Sequence, residues 1–508
     1  MKFAVTGEQL ERAKSLSSMD GLGVAKPVTQ ILRSTYFDTP RCNLHDNGFS
    51  LRLRRIGRAW YQTVKAETGV SGGVSNPFEL ETRVPGRAIK LDFIAHPPLR
   101  DRLKEVIGND PLRPVFETVV ERTTQKLTTL EGGKLELVLD KGVVKTPEDS
   151  QAICEAEIEL KSGRPEALLA VVDQLFVGEV PLPSQSSKSE IGYGLLGGKG
   201  TPQLEPLKAS IPAMPRGCDC AAVLATILRA LARQILHNWD VVRLSEDPEG
   251  AHQMRVGLRR LRTALNVFKP VIREGSFLDM ERDVRDLAHL IGELRDADVL
   301  AADIVKPLQD HREWAVPVEP LLELLDKRRS EVRLDVRHKL ATSELHRLQL
   351  RFALLPIVAE APSSQEMTGK ASRPARAFSR KAIEKCWRKV AKRGRHIAEL
   401  GEEDRHALRK DLKALRYAIE FFSAFYPEKR VQRFTAKLEV LQNLFGYLND
   451  VMGARRLTQV PTGASPSDAE ARQAISYVIG WHTAHAEDTW REARAKWKKL
   501  EATPRFWN

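Results

Sequence analysis

The sequence has few cysteines and no long apolar segment. Its 508 residues include only five cysteines, too few for a disulfide framework, and Cys218 and Cys220 have neither a second cysteine pair nor a histidine cluster nearby to complete a zinc site. The most apolar stretch, 221–236, is interrupted by Arg229 and falls short of the roughly 18 residues of a membrane-spanning helix. The N-terminus lacks the apolar core of a secretory signal. These absences predict a cytoplasmic protein with reduced thiols and no membrane partner.

What the sequence has in excess is positive charge. The chain carries 80 basic and 67 acidic residues, a formal net charge of +13. The two signs nearly balance over residues 1–210, so almost the whole excess lies in 211–508. A basic region joined to a neutral one indicates a module for a polyanion attached to a module with another task. Nucleic acid, a phosphate polymer and a membrane surface all remain compatible with this charge alone.

The distribution of residue types predicts an α+β protein with two domains of different class. Residues 197–217 are rich in glycine and proline, show no periodicity and predict a linker. Short alternating segments before it predict a mainly β domain over 1–196, and long segments with helical spacing after it predict an all-α domain over 218–508. A weak stretch around 361–376, rich in serine and proline, divides the second domain into halves of about 218–360 and 373–508.

Six segments of the first domain place ionisable residues on one face of a predicted strand. The period of two puts Arg52 with Arg54, and Glu157 with Glu159. A sheet with one solvated face would explain this pattern. The charges are, however, sorted by strand, with basic groups on some strands and paired carboxylates on others. A barrel with the charged face inward is therefore the alternative, in which basic groups bind phosphate and carboxylates bind a divalent cation.

Several of these segments resemble the CYTH family, the triphosphate tunnel metalloenzymes. The matching segments are 34–40, 48–55, 62–65, 113–118, 139–142, 155–161 and 187–189. The resemblance spans nearly all of 1–196 and implies an eight-stranded antiparallel tunnel that hydrolyses inorganic triphosphate or a related triphosphate with Mg²⁺ or Mn²⁺. It implies phosphate binding by Arg52, Arg54, Lys65, Arg122 and Lys188. It implies that the metal is bound or oriented by Glu79, Glu81, Asp140, Glu157 and Glu159. Lys2 and Lys65 are expected to take part in catalysis.

The sequence departs from the family at its first strand. The family signature is Glu-x-Glu-x-Lys, and Lys2 matches its lysine, whereas both glutamates would precede Met1. Two hypotheses follow. In the first, the start is assigned too far downstream and the protein is an inorganic triphosphatase. In the second, the tunnel has lost its metal site, and the protein binds or scaffolds polyphosphate without catalysis.

The second domain contains an internal duplication. Two sets of basic residues share one spacing at an offset of 154 residues: His252, Arg255, Arg259 and Arg262, and His406, Arg409, Lys413 and Arg416. On a helix each set falls within an arc of about 80°. A solvated basic stripe would normally include acidic residues for pairing, and none occurs over 252–269. The pattern therefore favours an anionic partner.

These motifs resemble the CHAD family, a helical module of two related bundles found beside CYTH domains. The resemblance covers about residues 218–500 and implies that the eight basic residues of the duplication, here called the duplicated stripe, bind inorganic polyphosphate in a channel or groove. Arg260 has Ala414 at the equivalent position and is a weaker candidate. A nucleic-acid partner is not expected, because the sequence has neither a stacking array nor a recognised reader motif.

Overall fold

The structure is a computed structural model of the chain. It describes residues 1–16, 18–66, 73–74, 78–184, 186–197, 204–210, 214, 217–273, 276–309, 316–360, 367–460 and 466–508. The chain forms two compact units. Unit 1 consists of residues 1–204 with 341–363, and unit 2 consists of residues 205–340 with 364–508.

Unit 1 is built on an antiparallel sheet of nine strands. The strands are β1 Lys2–Ala4, β2 Leu22–Val24, β3 Val28–Asp38, β4 Phe49–Ile56, β5 Ala59–Ala66, β6 Phe78–Val84, β7 Arg113–Thr129, β8 Lys134–Lys145 and β9 Ser150–Ser162. Eight of them form the continuous order β1-β9-β8-β7-β3-β4-β5-β6, and β2 pairs with the far end of β7. The backbone N–H of Lys2 donates to the carbonyl of Gly73 at 2.8 Å. This bond joins the first strand of the path to the connection between β5 and β6.

Six helices belong to unit 1. They are α1 Gly7–Ser15, α2 Asn43–Asp46, α3 Pro97–Ile107, α4 Ala167–Leu175, α5 Lys188–Leu196 and α10 Ser343–Glu360. Helix α10 lies in the sequence range predicted for the helical domain, yet its Leu350 and Leu354 are buried in the same core as Val171 of α4 and Ile158 of β9. His346 of α10 also contacts the carbonyl of Val180 at 3.0 Å. The domain boundaries drawn from composition remain a prediction.

The two faces of the sheet differ in chemistry, and the charged face is buried around β4 and β8, whereas Glu79 and Glu81 of β6 are exposed. Leu137, Leu139 and Ile158 belong to an apolar core that also contains residues of α4 and α10. On the opposite face, Asp140 is fully buried and Arg54 is 9% exposed. The charged face is therefore an interior surface, and the hypothesis of a solvated sheet face is wrong.

Unit 2 is helical. Its helices are α6 Cys220–Leu244, α7 Pro248–Phe268, α8 Ser276–Val299, α9 Glu319–Leu340, α11 Ala375–Gly394, α12 Glu402–Phe422, α13 Glu428–Ala454 and α14 Pro466–Glu501. A π-helical turn, Leu300–Val305, continues α8. The predicted α+β class, a β tunnel followed by a helical domain, is confirmed.

Helix α6 contains the apolar stretch that the sequence singles out. Among the described residues it is the one helix long and apolar enough to cross a bilayer, and 61% of its most apolar window is buried inside the protein. Its apolar side chains, among them Leu228, Ile235 and Trp239, are buried. A core helix of a bundle has this composition.

Candidate functional site

The strand register aligns the predicted tunnel residues on one face of the sheet. Tyr36 of β3 pairs with Arg52 of β4, and Arg52 pairs with Thr63 of β5. Paired residues of neighbouring antiparallel strands point to the same side. Lys65 of β5 in turn pairs with Glu79 of β6, so this face carries basic groups across β4 and β5 and carboxylates on β6.

The basic groups on this side are held by polar partners. Glu79 accepts from Arg52 Nη2 at 3.1 Å and from Lys65 Nζ at 2.9 Å. Arg54 Nε donates to Ser34 Oγ at 2.8 Å. Burial, together with the nearby charges of Arg52 and Arg122, lowers the pKa of Arg54 to about 10. An anion placed here would relieve that repulsion, so the arrangement of these cations suits phosphate oxygens.

Tyr36 belongs to the same group, although the sequence pattern did not single it out as a site residue. Burial alone would raise its pKa, but the positive charges of Arg52, Lys65 and Arg54 outweigh burial and lower the pKa of the phenol. Its ring stacks on Phe116 at 4.5 Å between centroids. The segment 34–40 could have signalled this role, because Tyr36 alternates with Ser34.

The same segment also contains a structural carboxylate. Asp38 is fully buried and accepts from the backbone N–H groups of Leu44 at 2.9 Å and His45 at 3.1 Å. It also accepts from the Tyr193 hydroxyl at 2.7 Å. Asp38 thus fixes the turn after β3 to α2 and α5, and positions β3 beside the site.

A cluster of carboxylates lies on β8 and β9. Asp140, Glu155 and Glu157 each offer an oxygen, and the three oxygens lie within 4.8 Å of one another. Arg122 of β7 donates to both oxygens of Asp140, at 2.8 and 2.6 Å. We call this set the carboxylate cluster. All-oxygen ligand sets of this kind suit Mg²⁺ or Mn²⁺.

Two lysines lie against the carboxylate cluster. Lys188 Nζ lies 2.8 Å from Asp140, 2.5 Å from Glu155 and 3.3 Å from Glu157. Lys2 Nζ lies 2.8 Å from Glu155. Burial favours the neutral forms, but the attraction between opposite charges is stronger, so the pKa of Lys188 is raised and the pKa of Glu157 is lowered. Lys188 is placed by Ser187, which caps the N-terminus of α5.

The remaining predicted metal residues lie elsewhere on the same face. Glu79 pairs with the basic residues of β4 and β5, and Glu81 accepts from Thr63 Oγ1 at 3.1 Å. Glu159 pairs with Lys161. The carboxylate cluster contains Glu155 instead of these three residues. Glu155 was not among the predicted site residues, although the alternation of residues along β9 places it on the same face as Glu157.

In unit 2 the duplicated stripe comes together from two helices. Arg255 and Arg259 lie on α7, and Arg409 and Lys413 lie on α12. The two helices pack against each other. The charges of Arg255 and Arg259 contribute to lowering the pKa of both Arg409 and Lys413. Arg255 donates to Asp296 at 2.8 Å and to the carbonyl of Gly292 at 3.2 Å. The two helices of the duplication therefore lie against each other, as the sequence predicted.

Lys413 is the most perturbed member of this group. Burial comes first among the causes, followed by the charges of Arg259 and Arg409, and together they lower its pKa to about 6. Burial likewise lowers the pKa of Arg259 and of Arg409. Asp450 provides partial compensation. Like charges held this close in a buried setting indicate a site that an anion would stabilise.

The other members of the stripe differ from one another in their polar partners. Arg416 donates to Glu420 at 2.8 Å and to Gln442 at 3.2 Å, so its charge is already compensated. His406 contacts Asn449 Oδ1 at 2.9 Å, whereas His252 faces Arg295, and burial lowers the pKa of both imidazoles.

Two more arginines of α7 are Arg262, a member of the stripe, and its neighbour Arg260. The Nε of Arg262 is buried with no hydrogen-bond partner among the described residues. Arg260, the weaker candidate, is buried, donates to Gln234 at 3.2 Å and lies 3.6 Å from Glu420. It therefore serves the bundle interior.

Two family models match the chain in succession. Residues 1–193 match the CYTH domain, and residues 226–459 match the CHAD domain. The chain therefore has a CYTH domain followed by a CHAD domain.

Its relatives include an inorganic triphosphatase of Haemophilus influenzae, 32% identical over 170 residues, which are 33% of this chain and 46% of that protein. The match thus spans less than half the length of that relative. An uncharacterized protein of Mycobacterium tuberculosis is 24% identical over 462 residues, or 85% of this chain and 82% of that protein. Among solved structures, the CHAD domain from the plant Ricinus communis is 26% identical, with a TM-score of 0.49, and covers 59% of this chain and 99% of its own length.

Proposed function

We propose that unit 1 hydrolyses inorganic triphosphate or a related triphosphate with a divalent cation, Mg²⁺ or Mn²⁺, and that unit 2 binds inorganic polyphosphate. The observation that carries the first part is a buried sheet face on which Arg52, Arg54 and Lys65 lie close to Arg122 and the carboxylate cluster. A triphosphate and a metal together need both signs of charge within one enclosed surface.

The residues of the carboxylate cluster fit a divalent cation. Asp140, Glu155 and Glu157 supply three close oxygens, and the donor set is that of hard cations. Such an ion, when bound, neutralises phosphoryl charge and activates a water molecule. Lys188 Nζ lies at the same oxygens, so we expect its ammonium group to withdraw when the cation binds.

The chain's own residues would do the remaining work. Arg52, Arg54 and Lys65 would bind phosphoryl oxygens and stabilise the charge that spreads over them in the transition state. Glu79 orients Arg52 and Lys65, and Ser34 orients Arg54. Lys188 and Lys2, released from the carboxylates, would bind the remaining oxygens of the substrate.

The second candidate function is polyphosphate binding without catalysis. One observation favours it: the ammonium of Lys188 already pairs with all three members of the carboxylate cluster. A cluster already compensated in this way would bind a metal ion weakly.

The deciding experiment is release of phosphate from tripolyphosphate by the full chain, with Mg²⁺, with Mn²⁺ and with chelator. Metal-dependent release that is lost in Glu157→Gln supports the hydrolase. Absence of release under every metal condition, with long-chain polyphosphate still bound, supports the non-catalytic function.

A further inference from the structure

Helix α11 carries an exposed basic face that lies outside the duplicated stripe. Five cations and one carboxylate line a surface groove of about 440 Å³: Lys381, Glu384, Lys385, Arg388, Lys389 and Lys392. At 100° per residue the five cations fall within an arc of about 100°, and at 1.5 Å per residue they extend over about 16 Å. We call this surface the α11 groove.

The positive charge of the α11 groove is compensated within the protein only at Arg388. Glu384, its one acidic residue, already accepts from Arg388 at 3.0 Å, from Trp507 Nε1 at 3.1 Å and from Arg505 at 3.4 Å. The four lysines are exposed, and in the described part of the chain none has an ion-pair partner within 4 Å. A row of cations with a single carboxylate, which is already paired, is suited to a linear polyanion.

The side chains of the groove argue against a membrane surface or single-stranded nucleic acid as its partner. The apolar side chains of α11, such as Ile383, Trp387 and Val390, are buried in the bundle, so the exposed face has nothing to insert into a membrane. Among the described residues, no aromatic side chain lines the groove, although stacking on aromatic groups is how proteins commonly bind single-stranded nucleic acid. A polymer recognised by charge alone fits best.

We propose that the α11 groove is a second binding surface for inorganic polyphosphate, separate from the duplicated stripe and used by long chains only. The inference rests on the proposed function of unit 2. Helix α11 packs against α12, and Arg393 of α11 pairs with Asp411 of α12. At 100° per residue Asp411 lies about 160° around α12 from Arg409 and Lys413, so the groove and the stripe are on different sides of α12. A chain long enough to pass around α12 would reach the groove as an intramolecular event, whereas a short chain would fill one site only.

The test compares long-chain polyphosphate with tripolyphosphate as probes of the full chain in chelator, so that metal-dependent binding does not contribute. The variant replaces Lys381, Lys385, Lys389 and Lys392 with alanine. The matched control replaces Lys306, Lys327, Lys429 and Lys498, exposed lysines on four different elements, and removes the same net charge. Melting curves establish that both variants fold, and the double variant Lys385→Ala with Lys389→Ala provides a milder change.

We expect the groove variant to lose at least about tenfold in affinity for the long chain, with a shallower salt dependence. Its affinity for tripolyphosphate should stay within about twofold of wild type, and the control should stay within about twofold for both probes. Equal losses in groove variant and control overturn the proposal, as does loss of single-stranded DNA binding with polyphosphate binding unchanged. Wild-type protein that binds no polyphosphate would refute the function proposed for unit 2 itself.

Discussion

The interior face of unit 1 and the duplicated stripe of unit 2 both gather basic residues, but they compensate the charge differently. In unit 1 nearly every cation has a carboxylate within hydrogen-bond distance, as Arg122 has Asp140 and Lys65 has Glu79. In unit 2 several cations face one another, and burial together with the charges of Arg259 and Arg409 lowers the pKa of Lys413 to about 6. One site is ready for a metal and an anion together, whereas the other needs only an anion.

This difference determines which ligands each site can distinguish. A site with mixed charge requires its ligand to supply both signs, so binding there should depend on a divalent cation. A site in which cations predominate accepts any sufficiently dense polyanion and should respond to salt and pH instead. Metal dependence and proton linkage are therefore the measurements that separate the two.

The largest expected effect concerns the carboxylate cluster. Glu157→Gln removes one of three charged oxygen ligands while keeping the side-chain shape. We expect a loss of at least about a hundredfold in metal-dependent tripolyphosphate hydrolysis, with polyphosphate binding by the CHAD domain unchanged. Phosphate release and equilibrium binding measure the two quantities separately.

Glu136→Gln provides the control for that variant. Glu136 lies on β8 on the same face and pairs with Lys161 at 3.2 Å, outside the cluster. Comparable loss in both variants would mean that the net charge of the face matters and not the cluster. Loss of polyphosphate binding in folded Glu157→Gln protein would contradict the separation of the two sites.

The next effect separates the stripe from diffuse charge. Arg255→Ala with Arg259→Ala, or Arg409→Ala with Lys413→Ala, should weaken polyphosphate binding by about tenfold or more. The slope of log K against log [salt] should fall by somewhat less than two, by analogy with nucleic acids. Binding measured over a range of salt gives both numbers.

Lys498→Ala with Lys499→Ala removes the same charge from the exposed end of α14 and should change neither quantity appreciably. If this control reduces affinity and slope as much as the stripe variants do, the duplicated helical face is not the site.

The alternation of residues was sufficient to predict which side chains share a face, but not which face is buried. Arg52 and Arg54 alternate in the same way in a solvated sheet and in a closed tunnel, and only the burial of Asp140 and Arg54 decides between them. Glu155 could have been included in the cluster from its alternation with Glu157. Asp140, and not Glu81, lies beside Glu155 and Glu157 because β8 is the neighbour of β9 in the sheet. The local sequence pattern does not reveal this order of strands.

In unit 2 the helical spacing was likewise sufficient to place the stripe residues on one face of each helix. It was not sufficient to predict which of these cations pair with a carboxylate after the helices pack. The sequence does not reveal that Arg416 is compensated by Glu420 while Lys413 faces Arg259 and Arg409. Nor does the helical period of α10 indicate which core its apolar side chains join. Both outcomes depend on contacts between segments far apart in sequence.

A third effect follows from the pKa of Lys413. Without a ligand its amine is mostly neutral above pH 6, and a bound polyanion would favour the charged form. Binding near pH 7 should therefore take up a proton, and affinity should rise by about tenfold as the pH falls from 7.5 to 6. The groups facing Lys413 are Arg255 and Arg259 from α7, Arg409 from α12 and Asp450 from α13. Calorimetry in buffers of different ionisation enthalpy measures the proton count.

Lys413→Arg is the sharpest control for this linkage, since an arginine stays charged over this range. The variant should bind without the proton uptake assigned to position 413 while retaining affinity at pH 6. His252 and His406 also have lowered pKa values, so the same proton uptake in Lys413→Arg would assign the linkage to the histidines.

The smallest expected effect tests whether the ammonium of Lys188 competes with a metal ion. Lys188→Gln removes a positive charge 2.5 to 3.3 Å from the oxygens of the carboxylate cluster and retains hydrogen-bonding capacity. Removal of a like charge near the metal should improve Mn²⁺ affinity in the absence of triphosphate by about fivefold, corresponding to about 1 kcal/mol. Calorimetric titration of the full chain with Mn²⁺ measures this affinity.

Lys161→Gln is the control. It frees Glu136 and Glu159 instead and should leave the Mn²⁺ affinity unchanged. If Mn²⁺ binding does not improve in folded Lys188→Gln protein, the lysine does not compete with the metal ion for the cluster.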